Sequence, residues 1–145
     1  GWKAEPAIGS PLNRENLINC LENDLIHAIA VNSIPLNDEN TLIPLNQRPP
    51  GISSFELVLP LLWEEFINKR LWSVSKLWKY LSFSPSNILG ISEEELTKGS
   101  KRWLMFDPDF KWVNSQSNLG YDSPSNMPKK GQFIKGKVIE VGLDY

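Results

Sequence analysis

The chain of 145 residues is poor in the side chains that form disulfides and metal sites. A single cysteine, Cys20, cannot make a disulfide within the chain, and a single histidine, His27, cannot supply a zinc site without carboxylates. No apolar run reaches the roughly 18 residues that a membrane-spanning helix needs. These absences argue against serine–histidine, cysteine–histidine and multi-histidine metal catalysis within this chain alone.

The chain also lacks a strong charge of either sign. Fifteen basic residues oppose seventeen acidic ones, and the basic residues are scattered. Nucleic acids and acidic membrane surfaces require a concentrated basic face, so we expect neither as the main partner. Scarce cysteine and the absence of signal-peptide features predict a cytoplasmic protein. Because the chain begins with Gly1 rather than Met, we expect that a preceding part was removed or never included.

Residues 1–95 carry mainly helix signals around one apolar run. Asn13 is a favoured N-cap residue and predicts a helix that begins after it. The run Ile26–Val31 is interrupted only by His27, which is typical of a strand buried on both faces of a parallel sheet. Such a strand needs neighbours, and a closed parallel barrel takes roughly 250 residues. We therefore expect the closing part of a larger α/β body, with apolar helix faces left for another surface.

The remaining helix signals follow a loop at about residues 32–52. Ser53 and Glu56 fit a capping box, and Pro60 should kink the helix that it opens. Ser73 and Ser84 are predicted to begin two further helices. A helical stripe is predicted to pack on the core; its members are Phe55, Leu59, Leu62 and Phe66.

Residues 96–145 favour β-structure. Short aromatic strands are predicted at 103–106 and 110–113, separated by a turn at Asp107-Pro108-Asp109. Residues 114–130 are rich in Asn, Ser and Pro and are predicted to form a loop. A last strand is expected over Phe133–Val141, with Gly136 as a bulge or bend. The fold class is therefore α/β plus β, with a boundary near residue 95.

Several segments match, in order, the motifs of one enzyme family. They are Pro11-Leu12, Ile26–Pro35, Pro49–Leu62, Ser84–Gly90, Phe106-Asp107-Pro108, Asn126-Met127-Pro128, Gly131 and Gly136-Lys137-Val138. Together they resemble the C-terminal third of a dihydroorotase, a cyclic amidohydrolase, over nearly the whole chain. The resemblance implies that residues 1–95 are the last units of a (β/α)8 barrel. It also implies that residues 96–145 belong to a small β-sandwich domain.

The resemblance further implies a metal-dependent hydrolase of pyrimidine biosynthesis, acting on dihydroorotate and carbamoyl aspartate. Zinc is expected in an intact family member, held by an early His-x-His pair, a modified lysine, two middle histidines and an aspartate that closes the last barrel strand. Only the position of that aspartate falls inside this sequence. The family motif Asp-His-Ala-Pro-His reads Asn32-Ser33-Ile34-Pro35-Leu36 here.

These replacements remove the chemistry that the motif supplies. A carboxylate at the strand end binds metal and takes the proton of the attacking water, whereas the neutral amide of Asn32 does neither well. Leu36 replaces a histidine that helps to hold the substrate. Gly51 keeps a backbone position that contacts substrate in the family, although a plain helix-entry glycine explains it equally. We therefore predict an inactive site, with no metal ligand in this chain.

Two further functions remain open. A preceding part could supply all the metal ligands of a working dihydroorotase, or the chain could be a free-standing interaction module. An upstream His-x-His pair and barrel lysine would favour the working enzyme. The expected partners are a preceding part or another copy of the chain. Aspartate carbamoyltransferase is a further one, because inactive dihydroorotase-like chains in other lineages associate with it.

The other ionisable residues have structural interpretations. His27 is expected to be a satisfied core or interface histidine. Glu64 and Glu65 are adjacent helix positions that point about 100° apart, so we expect a solvated face rather than an acid/base pair. The run Glu93–Glu95 suits the start of a helix, where the dipole favours negative charge. Asp107 is expected to shape a turn.

Overall fold

The computed structural model describes residues 3–92, 95–115 and 124–142. Two strands, β1 (Trp103–Val113) and β2 (Phe133–Gly142), pair as an antiparallel sheet. The helices over these ranges are α1 (Pro11–Glu22), α2 (Asp38–Leu42), α3 (Phe55–Leu62), α4 (Val74–Trp78) and α5 (Ser84–Ile88), with π-helical segments at Trp63–Lys69 and Lys79–Phe83. Within the same ranges, every helix is too short or too polar to cross a lipid bilayer.

The chain folds into two compact units, each assembled from separate stretches of sequence. Unit 1 is formed by Gly1–Ile8, Val31–Trp63 and Met105–Glu140. Unit 2 is formed by Gly9–Ala30, Glu64–Leu104 and Val141–Tyr145. The boundary predicted near residue 95, between barrel and sandwich parts, stays a prediction.

The core of unit 1 lies between α3 and the two strands. Leu57, Trp112 and Ile134 form a buried apolar cluster in which each side chain is less than a tenth exposed. The indole Nε1 of Trp112 donates a hydrogen bond of 2.8 Å to the carbonyl oxygen of Gly136. Gly136 itself has φ +94°, a left-handed conformation that suits glycine, which agrees with the bend predicted there. Burial of a side chain such as Leu57 or Ile134 stabilises the folded state by about 1.5–3 kcal/mol.

The core of unit 2 is aromatic. The rings of Phe66 and Trp72 lie 4.3 Å apart, and those of Trp72 and Tyr80 lie 5.5 Å apart. Tyr80 is fully buried, and its hydroxyl oxygen lies 2.6 Å from Asp24 Oδ1 and 2.7 Å from the carbonyl oxygen of Leu21. Burial and the neighbouring Asp24 carboxylate raise the pKa of Tyr80 to about 12.

The first helix begins three residues earlier than predicted. Ser10 is its N-cap, and the hydroxyl of Ser10 accepts a hydrogen bond from the backbone of Asn13. The side chain of Asn13 in turn accepts from the backbone N–H of Ser10 at 2.9 Å. The prediction of Asn13 as N-cap is therefore wrong. Pro11 explains the earlier start, because its fixed φ suits the first helical position and it has no N–H to satisfy.

The capping box predicted at Ser53 and Glu56 is not formed. Ser54 is the N-cap of α3 and makes no side-chain capping bond; its backbone N–H donates to Ser33 Oγ at 2.9 Å. Tertiary contacts therefore replace the local cap. The predicted stripe is correct for Phe66, which is 3% exposed, and wrong for Phe55, which is 68% exposed; Leu57, outside the stripe, is 1% exposed.

Proline changes the helix type after α3. Pro60 lies inside α3, and a π-helix begins at Trp63. Proline has no N–H, so the carbonyl oxygen four residues earlier loses its usual helical donor. The change from α to π geometry comes three residues after Pro60, and the kink predicted at Pro60 stays a prediction. The starts predicted for the two later helices are confirmed. The side chain of Ser73 caps α4 by accepting a hydrogen bond from Lys76 N, and α5 begins at Ser84.

The strand predictions need two corrections. Residues 26–31 form no strand, since the parts of the chain that the structure describes place no second strand beside them. The two strands predicted at 103–106 and 110–113 are one continuous strand, β1. Asp107 Oδ1 still accepts from the backbone of Asp109 at 2.9 Å and of Phe110 at 3.1 Å, so the predicted turn chemistry is present within the strand.

Candidate functional site

A cavity of about 300 Å³ opens on unit 1 and contains two of the three predicted site residues. Its walls come from the amino-terminal stretch, the loop after residue 31, the entry to α3 and the segment before β2. The lining residues are Lys3, Leu36, Thr41, Arg48, Pro49, Gly51, Ser125 and Asn126. This cavity is the candidate site because predicted substrate-contact positions converge on it.

Asn126 holds the loop that carries Leu36. The side-chain Oδ1 of Asn126 accepts from the backbone N–H of Leu36 at 2.9 Å, and its Nδ2 donates to the carbonyl oxygen of Ile34 at 2.8 Å. Its own carbonyl oxygen accepts from Ser53 N at 3.2 Å. Asn126 is 4% exposed, so these bonds form away from solvent. Asn126 therefore fixes the loop through its side chain and the segment before α3 through its backbone.

Gly51 is buried in the cavity wall, where no larger residue fits. A Cβ atom at this position would lie 2.8 Å from the carbonyl oxygen of Ile34 and 3.2 Å from Asn126 Nδ2. The first of these atoms belongs to the backbone, so it cannot rotate away. The backbone N–H of Gly51 donates to the carbonyl oxygen of Lys3 at 2.9 Å. The helix-entry glycine is thus required by close backbone packing.

The opposite part of the lining is polar. Lys3 Nζ donates to the carbonyl oxygen of Arg48 at 2.7 Å, and the Arg48 guanidinium donates to the carbonyl oxygens of Thr41 and Ile43. Thr41 Oγ1 lies 2.9 Å from Ser125 Oγ. Two basic side chains are therefore anchored beside one another at the cavity.

Asn32 is not brought to this cavity. It is exposed and is absent from the lining, whereas Leu36 and Gly51 both contribute to it. Leu36 is 8% exposed and offers only apolar side-chain surface. The roles predicted for these three residues stay predictions, since the structure shows their positions and not their chemistry.

The donor set does not fit a metal ion. Across residues 3–92, 95–115 and 124–142, no three His, Cys, Asp or Glu side chains come together in a way that could hold one. The amide of Asn32 is a neutral and weak ligand, and the described lining of the cavity contains no His, Cys, Asp or Glu.

The solvated face predicted for Glu64 and Glu65 is correct for Glu64, whose side chain is 47% exposed, and wrong for Glu65, whose side chain is 15% exposed and ion-paired. Glu65 lies 2.8 Å from Arg14 and 3.1 Å from Arg70. Burial raises the pKa of Glu65, but hydrogen bonds from both arginines outweigh it, and the net pKa is below its ordinary value. Glu64 accepts from Asn68 Nδ2 at 2.7 Å. A paired carboxylate whose pKa is lowered stabilises structure and is a poor proton carrier at neutral pH.

The other candidates contribute no site either. His27 is exposed, so the prediction of a core histidine is wrong, whereas the alternative of an interface histidine stays a prediction. Asp109 lies 2.8 Å from Lys135 Nζ, and this hydrogen bond and charge lower the pKa of Asp109. In the predicted acidic run Glu93–Glu95, Glu93 and Glu94 lie outside the described residues, and Glu95 is exposed.

Three residues of the cavity were not predicted from the sequence. The sequence motif Asn126-Met127-Pro128 gives Asn126 no functional role, and Lys3 and Arg48 are two of the scattered basic residues. The bonds of Asn126 to Leu36 and Ile34 join positions 90 and 92 residues apart. Local periodicity and capping rules act over a few residues, so they give no signal for such contacts.

Comparison with curated proteins confirms the resemblance that the sequence motifs predict. A protein of Synechocystis sp. named a probable dihydroorotase-like protein is 32% identical over 135 residues, covering 93% of this chain and 29% of that protein. The dihydroorotase of Chlorobaculum tepidum is 31% identical over 138 residues, covering 94% of this chain and 31% of that enzyme. The chain thus spans less than a third of the length of these relatives. No protein-family model matches it.

Comparison with solved structures shows the fold. A D-hydantoinase matches 98% of this chain with a TM-score of 0.77 at 15% identity, and the match covers 32% of that enzyme. The D-hydantoinase (dihydropyrimidinase) of Thermus sp. gives a TM-score of 0.77 at 16% identity over the same shares. The chain therefore has the fold of about one third of a hydantoinase chain, and its helices and two-stranded sheet are consistent with a partial domain.

Proposed function

We propose that this chain is the C-terminal part of a dihydroorotase-like amidohydrolase that has lost catalysis and serves as a structural or assembly partner. Its first part would be the last β/α units of the barrel, and its second part would belong to the small β-sandwich. The observation that carries the loss of activity is Asn32, a neutral and exposed amide at the position of the catalytic aspartate. Zinc would be held, in an intact relative, by residues that this chain does not contain.

The chemistry of the replaced motif supports this proposal. An amide cannot accept a proton from water at neutral pH, and removing a general base costs about 10²–10⁴-fold in rate. Leu36, which stands where the family has a substrate-binding histidine, is buried and offers no hydrogen bond through its side chain. Two functional groups are therefore missing from one motif, while the glycine and asparagine that shape its surroundings are kept.

Exposed apolar side chains support the assembly role. Leu12 and Leu17 on α1 are 70% and 57% exposed, and Ile88 and Leu89 at the end of the α5 region are 66% and 70% exposed. Each such side chain leaves roughly 1.5–3 kcal/mol of burial free energy unused. We propose that a preceding part of a longer chain or a second copy covers them, with aspartate carbamoyltransferase as a further partner to be tested.

The experiment is a zinc and activity measurement on the complete translation product of the gene, purified without chelator. We expect less than one zinc per chain by mass spectrometry and no hydrolysis of dihydroorotate above background. One or two metal ions per chain together with hydrolysis would overturn the proposal and favour a working enzyme whose ligands lie outside these residues.

The variant Asn32→Asp sharpens this experiment. If several functional groups are lost, restoring one carboxylate leaves dihydroorotate hydrolysis at background. Asn46→Asp is the matched control, because Asn46 is also exposed and lies in a loop of the same unit. A gain of 100-fold or more in Asn32→Asp alone, the size of a restored general base, would show that the rest of the active site is intact.

A further inference from the structure

Two asparagines of the chain, Asn32 and Asn114, are followed by serine, and none is followed by glycine. Asparagine is a thermally labile residue, because the backbone nitrogen of the next residue can attack the carbon of its side-chain amide. A small next residue such as serine leaves that nitrogen accessible, whereas a β-branched side chain crowds it. The sequence therefore places the same reactive pair of residues at two positions, and the fold decides which of them reacts.

Asn32 lies where the fold leaves this reaction open. The residue is exposed, and residues 26–37 form neither helix nor strand. Among the described residues, neither the side chain of Asn32 nor the backbone N–H of Ser33 has a hydrogen-bond partner. No hydrogen bond within the described parts of the chain therefore has to break before the amide carbon of Asn32 and the nitrogen of Ser33 meet.

The chain that follows the attacking nitrogen is held in place. Ser33 Oγ accepts from Ser54 N at 2.9 Å, and Ile34 N donates to the carbonyl oxygen of Ile52 at 3.0 Å. These two bonds restrain the residue that carries the nucleophile. The exposed side chain of Asn32 is free to rotate about its two χ angles and reach it.

Asn114 is the same pair of residues in a closed setting. It is 1% exposed, its Nδ2 donates to the carbonyl oxygen of Pro128 at 2.7 Å, and its backbone N–H donates to the carbonyl oxygen of Gln132 at 2.9 Å. Attack on this side chain requires local unfolding that breaks such bonds. We expect the reaction to be at least about tenfold slower at Asn114, because hydrogen bonds of ordinary strength that break together change an equilibrium by that factor or more.

We propose that Asn32 is a site of spontaneous deamidation. The nitrogen of Ser33 forms a bond to Asn32 Cγ, the Cγ–Nδ2 bond breaks, and the side-chain nitrogen leaves as ammonia with the proton of the Ser33 amide. Water then opens the succinimide at either carbonyl and leaves aspartate or isoaspartate at position 32. The product is ionised at neutral pH, so the reaction creates a carboxylate where the family motif has its aspartate.

This reaction does not depend on the proposed loss of hydrolase activity, and the two proposals can fail separately. Deamidation is measured as a change of mass at one residue, whereas the loss of catalysis is measured by zinc content and hydrolysis. Aged protein would carry the Asn32→Asp change in part of its molecules without mutation of the gene.

The experiment is incubation of the intact protein at 37 °C and pH 8, with peptide mapping by tandem mass spectrometry at intervals. We expect the mass increase of deamidation at Asn32, with isoaspartate in part of the product, because opening of the succinimide is what gives isoaspartate. Asn114 in the same digest is the internal control, and in a sample unfolded by urea its rate should rise to that of Asn32. Equal rates at Asn32 and Asn114 in the folded protein, or aspartate without isoaspartate, would overturn the proposal.

Variants identify the attacking nitrogen. Ser33→Thr keeps the hydroxyl that accepts from Ser54 N and adds a methyl group beside the nitrogen, so deamidation at Asn32 should slow. Ser115→Thr is the matched control, since it makes the same change after Asn114 and should leave the rate at Asn32 unchanged. Asn32→Gln should remove the modification at this position, because a glutamine must close a larger ring. An unchanged rate in Ser33→Thr would show that the nitrogen of Ser33 is not the nucleophile.

Discussion

Replacing Asn126 with alanine should destabilise unit 1 by removing two buried hydrogen bonds at once. The side chain accepts from Leu36 N at 2.9 Å and donates to the carbonyl oxygen of Ile34 at 2.8 Å, and the residue is 4% exposed. Each buried backbone group left without a partner costs about 1–3 kcal/mol, so we expect a loss of about 2–6 kcal/mol. The lower part of this range applies if water enters the cavity and replaces the lost bonds.

The assay is urea unfolding followed by tryptophan fluorescence, because Trp112 belongs to the core of the same unit. A local readout accompanies it, since the amide of Leu36 should exchange with solvent faster in Asn126→Ala. The control Asn46→Ala changes an exposed asparagine and should shift the free energy of unfolding by no more than about 0.5 kcal/mol. A loss in Asn126→Ala as small as in the control, with unchanged exchange at Leu36, would refute the reasoning.

Two further predictions concern single contacts. Gly136→Ala places a Cβ atom 2.7 Å from Phe106 Cζ at φ +94°, so in chemical denaturation the free energy of unfolding should fall by more than the about 1–2 kcal/mol that the positive φ alone costs. Tyr80 has its pKa raised to about 12 from an ordinary 10.0, so its contribution to stability is complete below pH 10 and is lost as the pH rises towards 12. Denaturation midpoints measured from pH 8 to 12 should fall in the wild type and fall less steeply in Tyr80→Phe.

Each of these has an outcome that contradicts it. Gly131→Ala controls for positive φ, because Gly131 has φ +77° and open space around its Cβ position; an equal loss in both variants would mean that Phe106 plays no part. For Tyr80, parallel pH curves in wild type and Tyr80→Phe would show that other groups cause the alkaline loss.

Helix positions were largely predictable from the sequence, whereas their boundaries were not. Ser73 caps α4 as expected because the capping bond is local, made to a backbone N–H three residues on. At α3 the amide of Ser54 bonds instead to Ser33, which is 21 residues away. Asn13 has a side chain that suits an N-cap, but it acts as the capping-box partner of Ser10, since Pro11 sets the start of the helix.

The family resemblance could be predicted from short sequence motifs, whereas the cavity could not. Asn126-Met127-Pro128 and the segment around Gly51 match family positions, and similarity to dihydroorotases over 93% of the chain agrees with them. The joining of Asn126 to Leu36, and the placing of Lys3 beside Arg48, depend on how distant stretches pack. Residues 26–31 show the opposite case, because their apolar pattern is typical of a paired strand and yet they form no strand in the described parts of the chain.

The contacts of Asn126 also set an order of events during synthesis. The loop that carries Ile34 and Leu36 leaves the ribosome about 90 residues before its partner does. Closing so long a connection costs chain entropy. The bonds of Ile34 and Leu36 to Asn126 must therefore wait until the chain beyond β1 has emerged. Nascent chains that end before residue 126 should be cut by protease within this loop, and longer ones should resist.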